Sequence, residues 1–259
     1  MTNFSLRTYQ APANLLQDRV VLITGAGSGL GRATALACAA HGATVVLLGR
    51  SEAKLEQVYD TIEAAGHPRP MLVPINLETA TSREYAQLTE HLEQELGRLD
   101  GLLHNAATLG VLSPVAHYNP EIWARTLQVD LNAPFLLTRA CLPLLTRGPD
   151  ASIVFVSDAV GRRGRAYWGA YAVAKAGLER LVEILVDELE NESIRVNSLD
   201  PGRLRTLLRA RAYPGEDPNT VPLPETAVPA LLYLLGPDSQ EMRGQVLNLP
   251  TDKSGGFQG

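Results

Sequence analysis

Tyr171 and Lys175, in the run Tyr171-Ala172-Val173-Ala174-Lys175, are the residues of this 259-residue sequence best placed to do chemistry. A spacing of four puts both side chains on one face of a helix. Such a pair is often ordinary helix surface. Here it follows an apolar, strand-like segment, at the end of the sheet where ligands bind in open parallel sheets. An ammonium beside a phenol favours the phenolate, so the tyrosine pKa is expected to fall from about 10 toward neutrality. A phenol tuned this way can exchange a proton with a carbonyl or alcohol oxygen.

The second group is a glycine-rich turn, Thr24-Gly25-Ala26-Gly27-Ser28-Gly29-Leu30-Gly31, between a short β-branched run and a helix-like segment. Glycines permit a tight turn and let backbone approach a pyrophosphate at a helix N-terminus. The string alone is a weak signal, and its place at the first strand–helix junction is what gives it weight. The next strand ends Leu47-Leu48-Gly49-Arg50. NAD sites often carry a carboxylate there for the ribose 2′-hydroxyl. Arg50 suits a 2′-phosphate instead, because its fork donates two hydrogen bonds to phosphate oxygens. NADP(H) is therefore expected over NAD(H).

These residues need a scaffold, and the hydrophobic periodicity supplies one. Strands are expected at 20–24, 44–48, 72–75, 101–104, 153–156, 194–199 and 245–249. Helices are expected between them, at 29–41, from a Ser51 cap, at 82–96, 120–145 with a break near Pro134, 169–190 and 225–235. Alternation of this kind implies a parallel sheet with helices on both faces. The expected fold is α/β, a single doubly wound sheet of about seven strands of the Rossmann type. Residues 1–17 read as an N-terminal extension, 18–259 as one NADP-binding domain, and about 200–224 as a substrate loop.

Composition narrows the class. With 23 basic and 28 acidic residues the net charge is −5, which does not suit a nucleic-acid partner. No apolar run is long enough for a bilayer, and the first residues lack a signal-peptide layout. Cys38 and Cys141 have no metal spacing and read as buried thiols in a reducing, cytoplasmic setting; no metal site is expected.

The glycine turn, Asn105-Ala106-Ala107 after the fourth strand, Tyr171 with Lys175, and Pro201-Gly202 followed by Thr206 occur in the order of the short-chain dehydrogenase/reductase family, which the chain resembles over residues 15–250. The segment from Val160-Gly161-Arg162-Arg163-Gly164-Arg165 through Trp168 to Tyr171, with Arg209-Ala210 and Glu216-Asp217-Pro218, looks like the bacterial YciK-type oxidoreductases. The resemblance implies hydride transfer between a nicotinamide and a carbonyl/alcohol carbon. It makes Tyr171 the acid/base and Lys175 the residue that binds ribose and tunes the phenol. Gly25, Gly27, Ser28, Gly29, Leu30, Gly31, Asn105, Ala106 and Ala107 would line the cofactor, with Pro201, Gly202, Leu204 and Thr206 at its carboxamide end. Asn76, beside Leu77, stands where the family usually has an aspartate near the adenine; an amide can both donate and accept there. A homodimer or homotetramer is also implied.

Two positions depart from the pattern. The family's substrate-binding serine falls on Asp158. Ser157 is adjacent, but neighbouring strand side chains point to opposite faces, so it substitutes only if the loop rearranges. Asp130 stands where the family has asparagine, whose main-chain carbonyl is thought to hold a water leading to the lysine. An ionised Asp158 would oppose charge building on a substrate oxygen and raise the pKa of Tyr171. Three outcomes are open. Asp158 is kept protonated as a donor, it turns away to pair with Arg162, Arg163 or Arg165, or carbonyl reduction is lost. The three nearby guanidiniums favour the second. The same arginines, with Trp168, are candidate substrate contacts and open the option of an anionic small molecule. The leading reading is an NADP(H)-dependent oxidoreductase. The alternative is an NADP(H)-binding sensor or regulatory protein with weakened or lost catalysis, because of Asp158 and Asp130.

Overall fold

The computed structural model describes residues 6–249. Seven strands form one parallel sheet: β1 (Val20–Thr24), β2 (Thr44–Gly49), β3 (Met71–Pro74), β4 (Gly101–His104), β5 (Ala151–Val156), β6 (Ile194–Asp200) and β7 (Val246–Asn248). The helices are α1 (Gly29–Ala40), α2 (Glu52–Ala64), α3 (Ser82–Leu96), α4 (Pro120–Leu127), α5 (Ala133–Leu145), α6 (Ala159–Arg162), α7 (Gly169–Glu188), α8 (Leu207–Ala212) and α9 (Val228–Leu235). This is the doubly wound α/β fold the periodicity predicts, with element ends displaced by a residue or so.

Strand residues alternate between two cores, as a period of two requires. Val21, Ile23, Val45 and Leu47 face one side with α1, α2 and α9. Leu22, Val46, Leu48 and Phe155 face the other with α3, α5 and α7. With both faces covered, β1, β4 and β5 are buried along their whole length. Residues N-terminal to β1 join the same packing, since Leu15 and Leu16 are buried and Leu6 and Tyr9 lie against that core.

The strand order is β3-β2-β1-β4-β5-β6-β7. The winding direction reverses between β1 and β4, and that switch point opens a crevice beyond the carboxyl ends of the strands. The expected break near Pro134 takes a different form. Residues Gln128–Asn132 make a π-helical turn joining α4 to α5, and Pro134, which has no N–H to donate, follows it as the second residue of α5. Ser51 precedes α2 but its side chain makes no capping bond. Among the described residues no helix is long and apolar enough to cross a membrane, and none form a cluster of His, Cys, Asp or Glu fit to hold a metal. Both cysteines are free and buried, which pushes their thiols up to about 12.

Candidate active site

A cleft of about 470 Å³ runs across the switch point, from Arg50 and Asn76 to Tyr171 and Trp168. Its floor is the glycine turn. Gly25 and Gly29 hold φ of +69° and +54°, a region that favours glycine. At Gly31 a Cβ would lie 2.3 Å from the Gly25 carbonyl oxygen and 2.5 Å from Asn105 Nδ2, so only hydrogen fits. Thr24 locks this turn to β4. Its hydroxyl accepts the N–H groups of Asn105 (2.9 Å) and Ala106 (3.0 Å), while Asn105 Nδ2 donates to the Thr24 carbonyl (2.9 Å). The result is a backbone cradle at the N-terminus of α1, suited to a phosphate.

Gly25, Gly27, Ser28, Gly29, Leu30, Asn105, Ala106 and Ala107 line the cleft. Gly31 lies behind the turn, where it permits the close packing. At the end of β2, Arg50 is exposed on the rim with Lys54, a second cation the motif reading missed. Asn76 and Leu77 lie at the same end; Asn76 Oδ1 accepts the N–H of Glu78 (3.2 Å). On the far wall, Pro201, Gly202, Leu204 and Thr206 line the cleft, and the Thr206 hydroxyl caps α8 by accepting the Arg209 N–H (3.2 Å). Arg209, Arg211 and Tyr213 were also missed. Arg209 and Arg211 sit on the six-residue α8 and Tyr213 follows it, in a stretch too short to show a periodic pattern, and only the fold brings them into the cleft with the glycine turn.

Tyr171 and Lys175 project from the start of α7, both buried. Lys175 Nζ donates to the Val156 carbonyl (2.7 Å) and lies 5.5 Å from the Tyr171 ring centre. The Tyr171 hydroxyl donates to Asp158 Oδ2 (3.2 Å). Asp158 Oδ1 accepts the N–H of Val160 (3.0 Å), because Asp158 is the N-cap of α6. This corrects the expected turn of Asp158 toward the arginines. The cap fixes one oxygen and leaves the other facing the phenol.

The arginines are engaged elsewhere. Arg162 bonds Glu179, Asp200 and Asn248, each at 2.6 Å, and clamps α6 to α7, β6 and β7. Arg165 donates to the Tyr213 hydroxyl (2.9 Å), and Arg163 is exposed outside the cleft. Of the four candidate substrate contacts, only Trp168 lines the cleft, so these arginines give no support for an anionic substrate. Ser157 does not replace the missing serine either. Its hydroxyl donates to Glu179 Oε1 (2.5 Å).

The electrostatics reverse one expectation. Tyr171 is held well above the usual phenol pKa, first by burial, then by the charges of Asp158 and Asp130. The lysine does not offset this, because its ammonium binds a backbone carbonyl while a carboxylate sits on the hydroxyl. Burial also raises the Asp158 pKa and lowers that of Lys175, the latter opposed by Asp130 and Asp158. Asp130, in the π turn, is fully buried. Its Oδ1 accepts the Thr108 N–H (2.7 Å), Oδ2 has no hydrogen-bond partner, and desolvation pushes its pKa up to about 7.

The family model for the short chain dehydrogenases matches residues 19–217. The chain belongs to the short-chain dehydrogenase/reductase family. It is 42% identical over 249 residues to the uncharacterized oxidoreductase YciK of Escherichia coli K12, covering 96% of this chain and 98% of that one. This short-chain dehydrogenase also superposes on a Pseudomonas syringae structure assigned to the same family, 51% identical, with 93% and 98% of the chains covered and a TM-score of 0.92. A third relative, from Escherichia coli CFT073, was crystallised with NADPH; it is 42% identical, with 93% and 100% covered and a TM-score of 0.90. The YciK-like character read from the Val160–Tyr171 segment is thereby borne out.

Proposed function

We propose that the protein is an NADP(H)-dependent oxidoreductase acting on a polar double bond, or the matching alcohol, of a small molecule. The observation that carries this reading is the single cleft joining the Gly25–Gly31 cradle to Tyr171 and Lys175. When bound, the nicotinamide supplies or accepts the hydride. The chain's own residues do the rest. The glycine turn and the α1 N-terminus hold the pyrophosphate, and Arg50 with Lys54 would meet a ribose 2′-phosphate at a β2 end that has no carboxylate. The NADPH complex of the Escherichia coli relative supports the same choice. Lys175 fixes the region beside the nicotinamide ribose, and Tyr171 passes a proton to or from the substrate atom.

Asp158 and Asp130 are assigned to the same machinery, one touching the phenol and the other facing the lysine; Ser157 holds Glu179 rather than substrate. Pro201, Gly202, Leu204 and Thr206 close the cofactor end, and Trp168 walls the substrate end. The same reading has one domain over 18–259 with residues 1–17 as an extension; residues 1–5 and 250–259 of those spans lie outside the described residues. Half-exposed Phe135, Val173 and Ile184 on α5 and α7 support a homo-oligomer, and the two free thiols support the cytoplasm.

A carboxylate on the Tyr171 hydroxyl is what favours the second reading, a cofactor-binding sensor. Fluorescence titration followed by turnover separates the two. The oxidoreductase reading expects NADPH to bind tighter than NADH and to be oxidised by members of a substrate panel. Tight binding with no oxidation on any member supports the sensor.

A further inference from the structure

The carboxyl of Asp158 faces the substrate end of the cleft with no counter-ion. One oxygen is held by the Val160 N–H and the other accepts the Tyr171 hydroxyl at 3.2 Å. Among the described residues no cation lies within ion-pairing distance of it. Arg162 is taken by Glu179 and Asp200, Arg209 by Glu216 (2.6 and 2.7 Å), and Arg165 by Tyr213. Lys175 acts on Asp158 through the field but spends its hydrogen bond on Val156. A carbonyl undergoing reduction gains negative charge on oxygen, and this arrangement opposes that charge. A C=N bond has the opposite demand. It must become positive at nitrogen to accept a hydride, and a carboxyl group supplies either the proton or the compensating charge.

The wall beside this carboxyl is aromatic. The Trp168 ring lies 5.8 Å from that of Tyr171 and 5.9 Å from that of Tyr213, and all three line the cleft. Aromatic faces next to a carboxylate are the usual surroundings of a delocalised organic cation.

We infer that Asp158 selects a C=N substrate, an imine or cyclic iminium, and contacts its nitrogen. This rests on the oxidoreductase reading of the same cleft and narrows it. A neutral imine takes a proton from the Asp158 carboxyl, forming the N–H bond. Carbon then receives the hydride, with both its electrons, that reduced nicotinamide supplies, and the C=N π pair collapses onto nitrogen. The products are an amine and NADP⁺, and Asp158 regains its proton from solvent. A substrate that arrives as an iminium pairs directly with the carboxylate and needs no proton from it.

The test pairs cyclic imines such as dihydroisoquinoline with carbocyclic ketones of the same shape such as tetralone, in wild type and in Asp158→Ser. Wild type is expected to favour the imines by about tenfold or more in kcat/KM, and the variant to reverse the order, since removing one charge near the reacting atom acts with opposite sign on the two classes. A second readout needs no turnover. Tetrahydroisoquinoline, the cationic product, should bind the NADP⁺ complex about tenfold more tightly than tetralol does, and Asp158→Asn should erase the difference. The titratable groups facing Asp158 are Tyr171 and Lys175 from α7 and Asp200 from β6, with Asp130 from the π turn acting on Tyr171, so both comparisons are made at one fixed pH. Ketones equal to or better than imines in wild type, or an imine-to-ketone ratio untouched by Asp158→Ser, overturn the inference while leaving the oxidoreductase reading standing. Tighter binding of the alcohol than of the amine also overturns it. No NADPH oxidation by either class instead removes the reading on which it rests.

Discussion

Replacing Asp130 with asparagine should make the protein more stable as pH rises, and the gain can be worked from the structure. The wild-type carboxyl is fully buried, with one oxygen on the Thr108 N–H and the other unpartnered. Desolvation raises its pKa from 3.8 to about 7, against the pull of Lys175. A group whose folded pKa is raised contributes stability that is full below its unfolded pKa and lost as pH climbs through the folded one. The rise corresponds to about 4 kcal/mol, of which about 3 kcal/mol falls between pH 5 and pH 8. Asparagine keeps the shape and the acceptor for Thr108 but cannot ionise. Urea unfolding of both proteins without cofactor is therefore expected to show Asp130→Asn gaining about 3 kcal/mol on wild type from pH 5 to pH 8. A stability difference that is constant, or that shrinks over this range, refutes the reasoning.

Other perturbations have equally definite outcomes. Arg50→Ala should weaken NADPH binding about tenfold or more, the worth of a charge-assisted hydrogen bond, and leave NADH affinity unchanged in fluorescence titrations; a parallel loss of both cofactors would show that Arg50 is not read by the 2′-phosphate. Gly31→Ala forces a methyl against the Gly25 carbonyl and Asn105, so it should lose about 1–3 kcal/mol in denaturant unfolding and weaken NADPH binding as well. Tyr171→Phe should cut ketone turnover by about 10²–10⁴ while NADPH affinity stays within a few-fold, and a variant that keeps that turnover would remove Tyr171 from the proton path.

What the sequence made legible, and what it did not, divides along a physical line. The glycine turn, the seven strands and the Tyr171–Lys175 pair follow from local rules: a period of two or of four, and glycine where backbone must come close. The two-faced core followed from the same pattern, because Val21 and Leu22 must point opposite ways. The fate of Asp158 did not follow. Its choice between Tyr171 and three arginines is a competition decided by partners far along the chain, Glu179, Asp200 and Asn248, which take Arg162 first. The pKa of Tyr171 was misjudged for a related reason. The lysine's presence was visible, but not that its ammonium would bond Val156 while two carboxyls and burial acted on the phenol. Arg209, Arg211 and Tyr213 belong to the short α8 and the residue after it, too brief for periodicity to mark, so only the fold reveals them as cleft residues.

The central claim is that this cleft moves a hydride between NADP(H) and a polar double bond beside Tyr171. Incubation of wild type with NADPH carrying deuterium at C4 and the panel of imines and ketones, followed by mass spectrometry of the products, tests it most directly. The account predicts one deuterium on the carbon of the reduced bond, in step with NADPH oxidation and, for the ketones, lost in Tyr171→Phe. NADPH that binds tightly but leaves every panel member unlabelled would contradict it.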